Sequence, residues 1–220
     1  LVYILTLESA AEMERAFGIP SIADHYTQIA SAIRGTIREK YWDATRGLFA
    51  DTYDHRSFSQ HVNSLAILAG IVTGEEATRV MERTLNDSSL IQATIYFRYY
   101  VHQALKVAGM GDHLLDNLQI WRDQMALGLT TWAEMPEPTR SDCHAWGASP
   151  NIEFFRILLG IDSNAPGFKS IRIAPSLGDL KEVSGTMPHP VGSVTASYKL
   201  DKKGKLTARL ILPTGTDGVF

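Results

Sequence analysis

Over the first two thirds of the chain, apolar residues recur at helical spacing. The opening "LVYILTLESAAEMERAFG" reads as an amphipathic helix. Gly18 and Pro20 mark a break, and Ile22, Tyr26, Ile29, Ile33 and Ile37 then fall on one helical face, with Ser21 as the expected cap. "SQHVNSLAILAGIVTG" is almost wholly apolar, with Leu65, Leu68, Ala69 and Val72 on one side, so it is expected to be buried on most sides. "GEEATRVMERTLND" is short and charged, and is expected to be more exposed. "TIYFRYYVHQALKVAG" reads as an aromatic, buried helix. "GDHLLDNLQIWRDQMALG" reads as the next helix, with Leu114, Leu118, Trp121 and Met125 in register. "NIEFFRILLGI" is a last short apolar helix.

Buried and amphipathic helices thus alternate, and short links between them imply antiparallel hairpins. A ring of hairpins with an inner and an outer layer fits that order. A solenoid of hairpins also fits, although no strict repeat is visible. The pattern changes from residue 162 onward. "FKSIRIAP", "LKEVSGTMP", "GSVTASYKLD" and "KLTARLILP" show β-branched alternation punctuated by Gly and Pro, and predict antiparallel strands. Four strands make an incomplete sandwich. Either the sheet packs on the helices or further strands come from elsewhere. The expected fold class is mainly α with a C-terminal β part, divided into residues 1–161 and 162–220.

Composition narrows the function. Hydrophobic residues are 45% of the chain, enough for a sizeable core, and charged residues are 20%, which argues against disorder. The net charge is −3 with no basic stripe, so nucleic acid is not an expected partner. A single cysteine excludes an internal disulfide framework and a multi-cysteine metal site. The seven histidines show no metal-ligand spacing, and no cofactor is expected. No apolar run approaches the roughly 20 residues that span a membrane. The chain opens on Leu1 inside a helical pattern without a signal peptide, so it is expected to begin partway through a longer protein. Compartment stays open, with periplasm or exterior slightly ahead of cytoplasm.

The chemistry concentrates in one loop, "GLTTWAEMPEPTRSDCHAWGASP". It is longer than a plain link between packed helices. It holds Trp132, Trp146, Cys143, His144 and the carboxylates Glu134, Glu137 and Asp142. Glu134 reads either as a solvated or capping carboxylate or as a general base. Glu137 lies between Pro136 and Pro138 and is expected to be exposed; Asp142 is expected to orient the loop. His144 reads as a core histidine or a ligand contact. Trp132 and Trp146 suit a stacking platform for a sugar ring or plain core filling. Cys143 and His144 are sequence neighbours whose side chains usually point apart, which disfavours a Cys–His nucleophile. Asp51, Gln60 and His61 could line a cavity, but the core or cap reading is preferred for them.

This loop, together with "TIYFRYYVHQAL" and the β tail "GFKSIRIAPSLGDLKEVSGTMPHPVGSVTASYKL", resembles the α-L-rhamnosidase family of glycoside hydrolases. That family places a tryptophan directly before the glutamate, whereas here Ala133 separates Trp132 from Glu134. The resemblance implies a partial (α/α)6 toroid of helical hairpins followed by a small antiparallel β-sandwich or sheet. It implies inverting hydrolysis of terminal α-L-rhamnose from a polysaccharide or glycoside. By motif match Glu134 takes the general-base position and His144 the sugar contact beside it, with Trp132 and Trp146 as candidate substrate contacts. The family's general acid sits in an arginine-rich acidic loop that these residues lack, so half of the catalytic pair is expected here. Half a toroid would leave apolar faces such as "SLAILAGIV" and "TIYFRYYV" exposed, and a homo-oligomer is a possible consequence. Two alternatives stay open: another toroidal carbohydrate hydrolase, trehalase-like or glucoamylase-like, and a non-catalytic sugar-binding or scaffold module.

Overall fold

In a computed structural model, which describes residues 1–136 and 138–220, Pro20 starts the second helix. Its fixed φ and missing N–H suit the first turn. Ile19, not the expected Ser21, is the N-cap residue, and its backbone N–H donates to Glu14 Oε2 at 2.8 Å. Helices α1 (Val2–Phe17) and α2 (Pro20–Tyr41) form an antiparallel hairpin. Glu8 pairs with Arg34, and Arg15 reaches Thr27 Oγ1 at 2.8 Å, so the partners run in opposite directions along the two helices. Ile4, Leu7, Ala30 and Ala69 form the buried seam, with Tyr26, Ile29, Ile33 and Ile37 packed against it.

The chain then makes a short hairpin of two-residue strands, β1 (Trp42–Asp43) with β2 (Leu48–Phe49). Helix α3 (Gln60–Leu68) follows, capped by Ser59 Oγ accepting from the Val62 N–H at 3.2 Å. It stops at Leu68, although the apolar run continues to Val72. Gly70, at φ +65°, turns the backbone left-handed, and the Ile71 N–H closes onto the Ala66 carbonyl at 3.0 Å. Asn63 clamps the hairpin, accepting from the Phe49 N–H at 2.8 Å and donating to its carbonyl at 3.0 Å. Helix α3 packs on α4 (Gly74–Asn86) and α5 (Ile95–Val107). Helix α4 buries Ala77, Val80, Met81 and Thr84, so the charged segment is amphipathic rather than merely exposed. Helix α5 is less buried than its sequence suggests: Tyr96 is exposed, and Phe97, Tyr99 and Tyr100 are half-buried in a row of ring contacts. Residues Leu1–Gly109 form one compact unit.

Met110–Phe220 form the second. The segment expected as one helix is divided. Single turns at Gly111–His113 and Leu115–Leu118 precede α6 (Gln119–Ala126). Leu114, Leu118 and Trp121 are buried as expected, but Met125, in the last turn of α6, is 63% exposed. After the long loop, α7 (Pro150–Glu153) runs on into a wider π turn at Phe154–Leu158.

The β part holds two three-stranded sheets. The four expected strands are β4 (Ser170–Ile173), β5 (Glu182–His189), β6 (Gly192–Leu200) and β7 (Leu206–Ile211). Two more, β3 (Ile161–Ser163) and β8 (Asp217–Val219), flank β4 and supply the strands the sequence left wanting. The β4–β8 pairing is parallel; the other pairings in these two sheets are antiparallel. The sheets share one core. Ile161, Ile171 and Ile173 from the first meet Val194, Ala196 and Tyr198 from the second, with Leu159 between them. The Tyr198 hydroxyl donates to the Leu159 carbonyl at 2.9 Å, and burial pushes its pKa up to about 12. The chain is therefore mainly α with a C-terminal β part, as its pattern predicts.

Candidate functional site

The long loop folds back on itself as a hairpin-like neck. The His144 N–H donates to the Trp132 carbonyl at 2.8 Å, and the Glu134 N–H to the Ser141 carbonyl at 2.9 Å. The Thr131 hydroxyl adds a bond to the Asp142 carbonyl. From the helical side, buried Gln124 on α6 accepts from the Ala133 N–H at 2.9 Å. That bond fixes the residue next to Glu134 to a rigid helix and leaves no orphaned buried amide. Sequence reading did not single out Gln124. Its only signal was a polar residue on the apolar side of a helix.

Glu134 stands at this neck with its side chain only 3% exposed. Arg140, six residues on, holds both carboxylate oxygens: its Nε donates to Oε2 at 2.7 Å and its Nη2 to Oε1. This two-pronged charge-assisted pairing is geometrically specific. Hydrogen bonding from Arg140 holds the Glu134 carboxyl below its usual pKa against the opposing effect of burial, and the positive fields of Arg140 and His144 add to it. The result is a buried carboxylate kept ionised, as a general base must be.

His144 lies beside the pair. Its Nε2 is 3.9 Å from Glu134 Oε1, too far for a hydrogen bond but within ion-pair reach. Its Nδ1 is buried and has no hydrogen-bond partner among the described residues. The Trp146 ring, 40% exposed, packs on the imidazole with centroids 4.3 Å apart. The loop thus gathers Glu134, His144 and Trp146 in one place. Trp132 contributes its carbonyl to the neck, while its side chain lines a cavity of about 310 Å³ with Trp121, Phe154, Met125 and Arg122. Asp142 and Cys143 are exposed. The expectation for Glu137 falls outside the described residues.

Three residues considered from the first unit have structural work. Gln60 bridges the Thr84 carbonyl at 3.0 Å and the Ala93 N–H at 2.9 Å. Asp51 accepts from the Ser57 and Ser59 hydroxyls at 2.8 and 2.5 Å. His61 packs against Phe97 with ring centroids 4.3 Å apart and the planes tilted by 46°. Among the described residues, no group of three or more His, Cys, Asp or Glu is placed to hold a metal ion. No described helix is long and apolar enough to cross a membrane.

Residues 160–219 match the family model for the bacterial alpha-L-rhamnosidase C-terminal domain. No curated protein matches the chain in sequence. Among solved structures, a GH78-family rhamnosidase of Bacillus sp. GL1 is similar over 98% of this chain and 26% of its own, at 25% identity and a TM-score of 0.83. The α-L-rhamnosidase of Aspergillus terreus matches 98% of this chain and 27% of its own, at 18% identity and a TM-score of 0.78. That of Streptomyces avermitilis, solved with L-rhamnose, matches 98% of this chain and 22% of its own, at 18% identity and a TM-score of 0.75. At those two identities the likeness speaks for fold alone. The chain spans about a quarter of the length of these relatives. Residues 160–219 thus match the C-terminal domain of bacterial alpha-L-rhamnosidases, and along nearly its whole length the chain is similar in fold to part of the solved α-L-rhamnosidases.

Proposed function

We propose that the protein carrying this chain is an inverting α-L-rhamnosidase and that these residues supply its general-base half. The observation that carries the reading is Glu134: a buried carboxylate, held ionised, beside His144 and Trp146, in a chain with the rhamnosidase fold. In inverting hydrolysis one carboxyl protonates the leaving oxygen. A second, roughly 6.5–9.5 Å away, takes a proton from the water attacking the opposite face. Glu134 is the second group. The acid comes from sequence outside residues 1–220, where an acidic residue beside arginines is the expected signature. Residues 1–161 form part of the helical toroid, and residues 162–220 form its β companion. His144 and Trp146 contact the sugar, with the Trp146 ring packing on its apolar face. Trp132 stacks on a neighbouring part of the substrate. The substrate class is a rhamnose-containing polysaccharide or glycoside, in keeping with the L-rhamnose bound to the Streptomyces relative.

Two measurements test this. The complete polypeptide, followed by proton NMR on an aryl α-L-rhamnoside, should release β-L-rhamnose first, before mutarotation. Release of the α anomer first would refute inversion. On a rhamnosyl disaccharide, whose alkoxide leaving group must be protonated, the 220-residue chain by itself should give no turnover above a heat-killed control, because the acid lies outside it. Clear turnover would place the acid inside these residues and overturn the split.

The oligomer follows from surface rather than chemistry. The "SLAILAGIV" stretch is largely buried within its own unit, which removes it as an association face. The row of aromatic side chains on α5 remains half-open. On that face the isolated chain should self-associate, seen as a dimer or larger species by light scattering. A clean monomer at high concentration would discard the idea.

A further inference from the structure

The pairing of Arg140 with Glu134 goes beyond the motif that assigns the base. The two oxygens of Glu134 are occupied by one guanidinium, and the carboxylate is almost sealed, while the Arg140 side chain is 78% exposed. A base hidden in this way cannot reach a water molecule. The group that covers it is tethered only by a loop and its charge remains hydrated, so a ligand that supplies replacement hydrogen bonds to the buried carboxylate can displace it. The backbone neck behind Glu134 does not depend on the arginine. It is closed by the Glu134–Ser141 and Trp132–His144 main-chain bonds and by Gln124. Glu134 can therefore stay in place while Arg140 moves.

We infer that Arg140 is a positioning residue for the base: it holds the Glu134 carboxylate ionised and in a fixed plane in the free protein, and it is displaced when substrate occupies the site. This rests on the reading of Glu134 as base. Sugar hydroxyls are the natural replacement donors, because they can satisfy one carboxylate oxygen while leaving the other for the water. The charged groups facing Glu134 among the described residues are Arg140 and His144. Arg140 gives the larger effect, through direct hydrogen bonds. Removing it should raise the proton affinity of Glu134.

The test uses Arg140→Gln and Arg140→Lys, with two readouts. The first is carbon-13 NMR titration of the Glu134 carboxyl in the 220-residue chain, with the resonance assigned by its disappearance in Glu134→Gln. Its midpoint should move to higher pH in Arg140→Gln. In Arg140→Lys, which keeps the charge but not the fork, it should move less. Added salt should move the midpoint upward in the unmodified chain and scarcely move it in Arg140→Gln. The second readout is the pH profile of kcat/KM in the complete polypeptide, whose acid limb reports the free enzyme's base. That limb should shift upward in Arg140→Gln, whatever the change in plateau activity. An unmoved carboxyl titration would overturn the inference, as would a uniform loss at every pH with the limb unmoved. If instead the titration moves but Glu134→Gln costs no activity, the pairing stands as described and the base assignment is what fails.

Discussion

In the complete polypeptide that carries this chain, Glu134→Gln should lower kcat on an aryl α-L-rhamnoside on the order of 10²–10⁴-fold, the usual contribution of general-base catalysis. The melting temperature should hardly change. The amide matches the carboxylate in size, its one oxygen can still accept one of the two Arg140 bonds, and the neck around residue 134 is made by main-chain bonds. An aryl leaving group needs little help from the acid, so the loss on this substrate isolates the water-activating step. Asp142→Asn is the control: Asp142 is exposed, and only its carbonyl takes part in the neck, accepting from Thr131. Glu137→Gln is a second control from the same loop. Both should keep most of the rate. If either control fell as far as Glu134→Gln, the loss would belong to the loop as a whole and Glu134 would no longer be the base. A small anion such as azide, added to Glu134→Ala, should restore part of the rate by standing in for the activated water. Failure of that rescue together with a lowered melting temperature would point to a structural role.

How far the sequence reveals this arrangement depends on the range of the interactions. The helices are legible because a 3.6-residue period is local, and Ile29, Ile33 and Ile37 do lie on the seam their spacing implies. Helix ends are less legible. Helix α3 stops at Leu68 because of Gly70, although the apolar run continues past it. Strands β4 to β7 are marked by alternation, whereas β3 and β8, three residues each, are too short to show any. What makes them strands is pairing on either side of β4, a contact that Asp217–Val219 makes across more than forty residues of chain. The site divides in the same way. The role proposed for Glu134 rests on resemblance, not on any period in the residues around it. Arg140 was in plain view in "PTRSD", yet its reach back to Glu134 depends on the neck formed at residues 132–144, which no local pattern encodes. The burial of Gln124 likewise depends on how the loop returns over α6.

The second large effect is expected at Gly160, where the last turn of the helical segment enters β3. Its φ of +70° is left-handed, which costs a residue with a side chain about 1–2 kcal/mol. Gly167 has the same φ of +70°, in the turn before β4. The two differ in space. A Cβ on Gly167 would meet nothing within 4 Å, whereas a Cβ on Gly160 would lie inside the backbone of Ala174 and Pro175. That neighbour is main chain, held by the Ala174 N–H bond to the Gly160 carbonyl at 3.0 Å, so it cannot rotate away as a side chain would. Gly167→Ala should therefore lose only the conformational cost. Gly160→Ala should add overpacking of about 1–3 kcal/mol, for a total of roughly 2–5 kcal/mol. The damage should reach the β core directly, since Leu159 and Ile161 on either side of the glycine are both buried in it. Thermal and urea unfolding of the two variants against the unmodified chain measure the difference. Equal losses at the two positions would show that the backbone at Gly160 can give way. A clear excess at Gly160 would show that the helical segment and the β-sandwich are joined at a crossing only glycine can make.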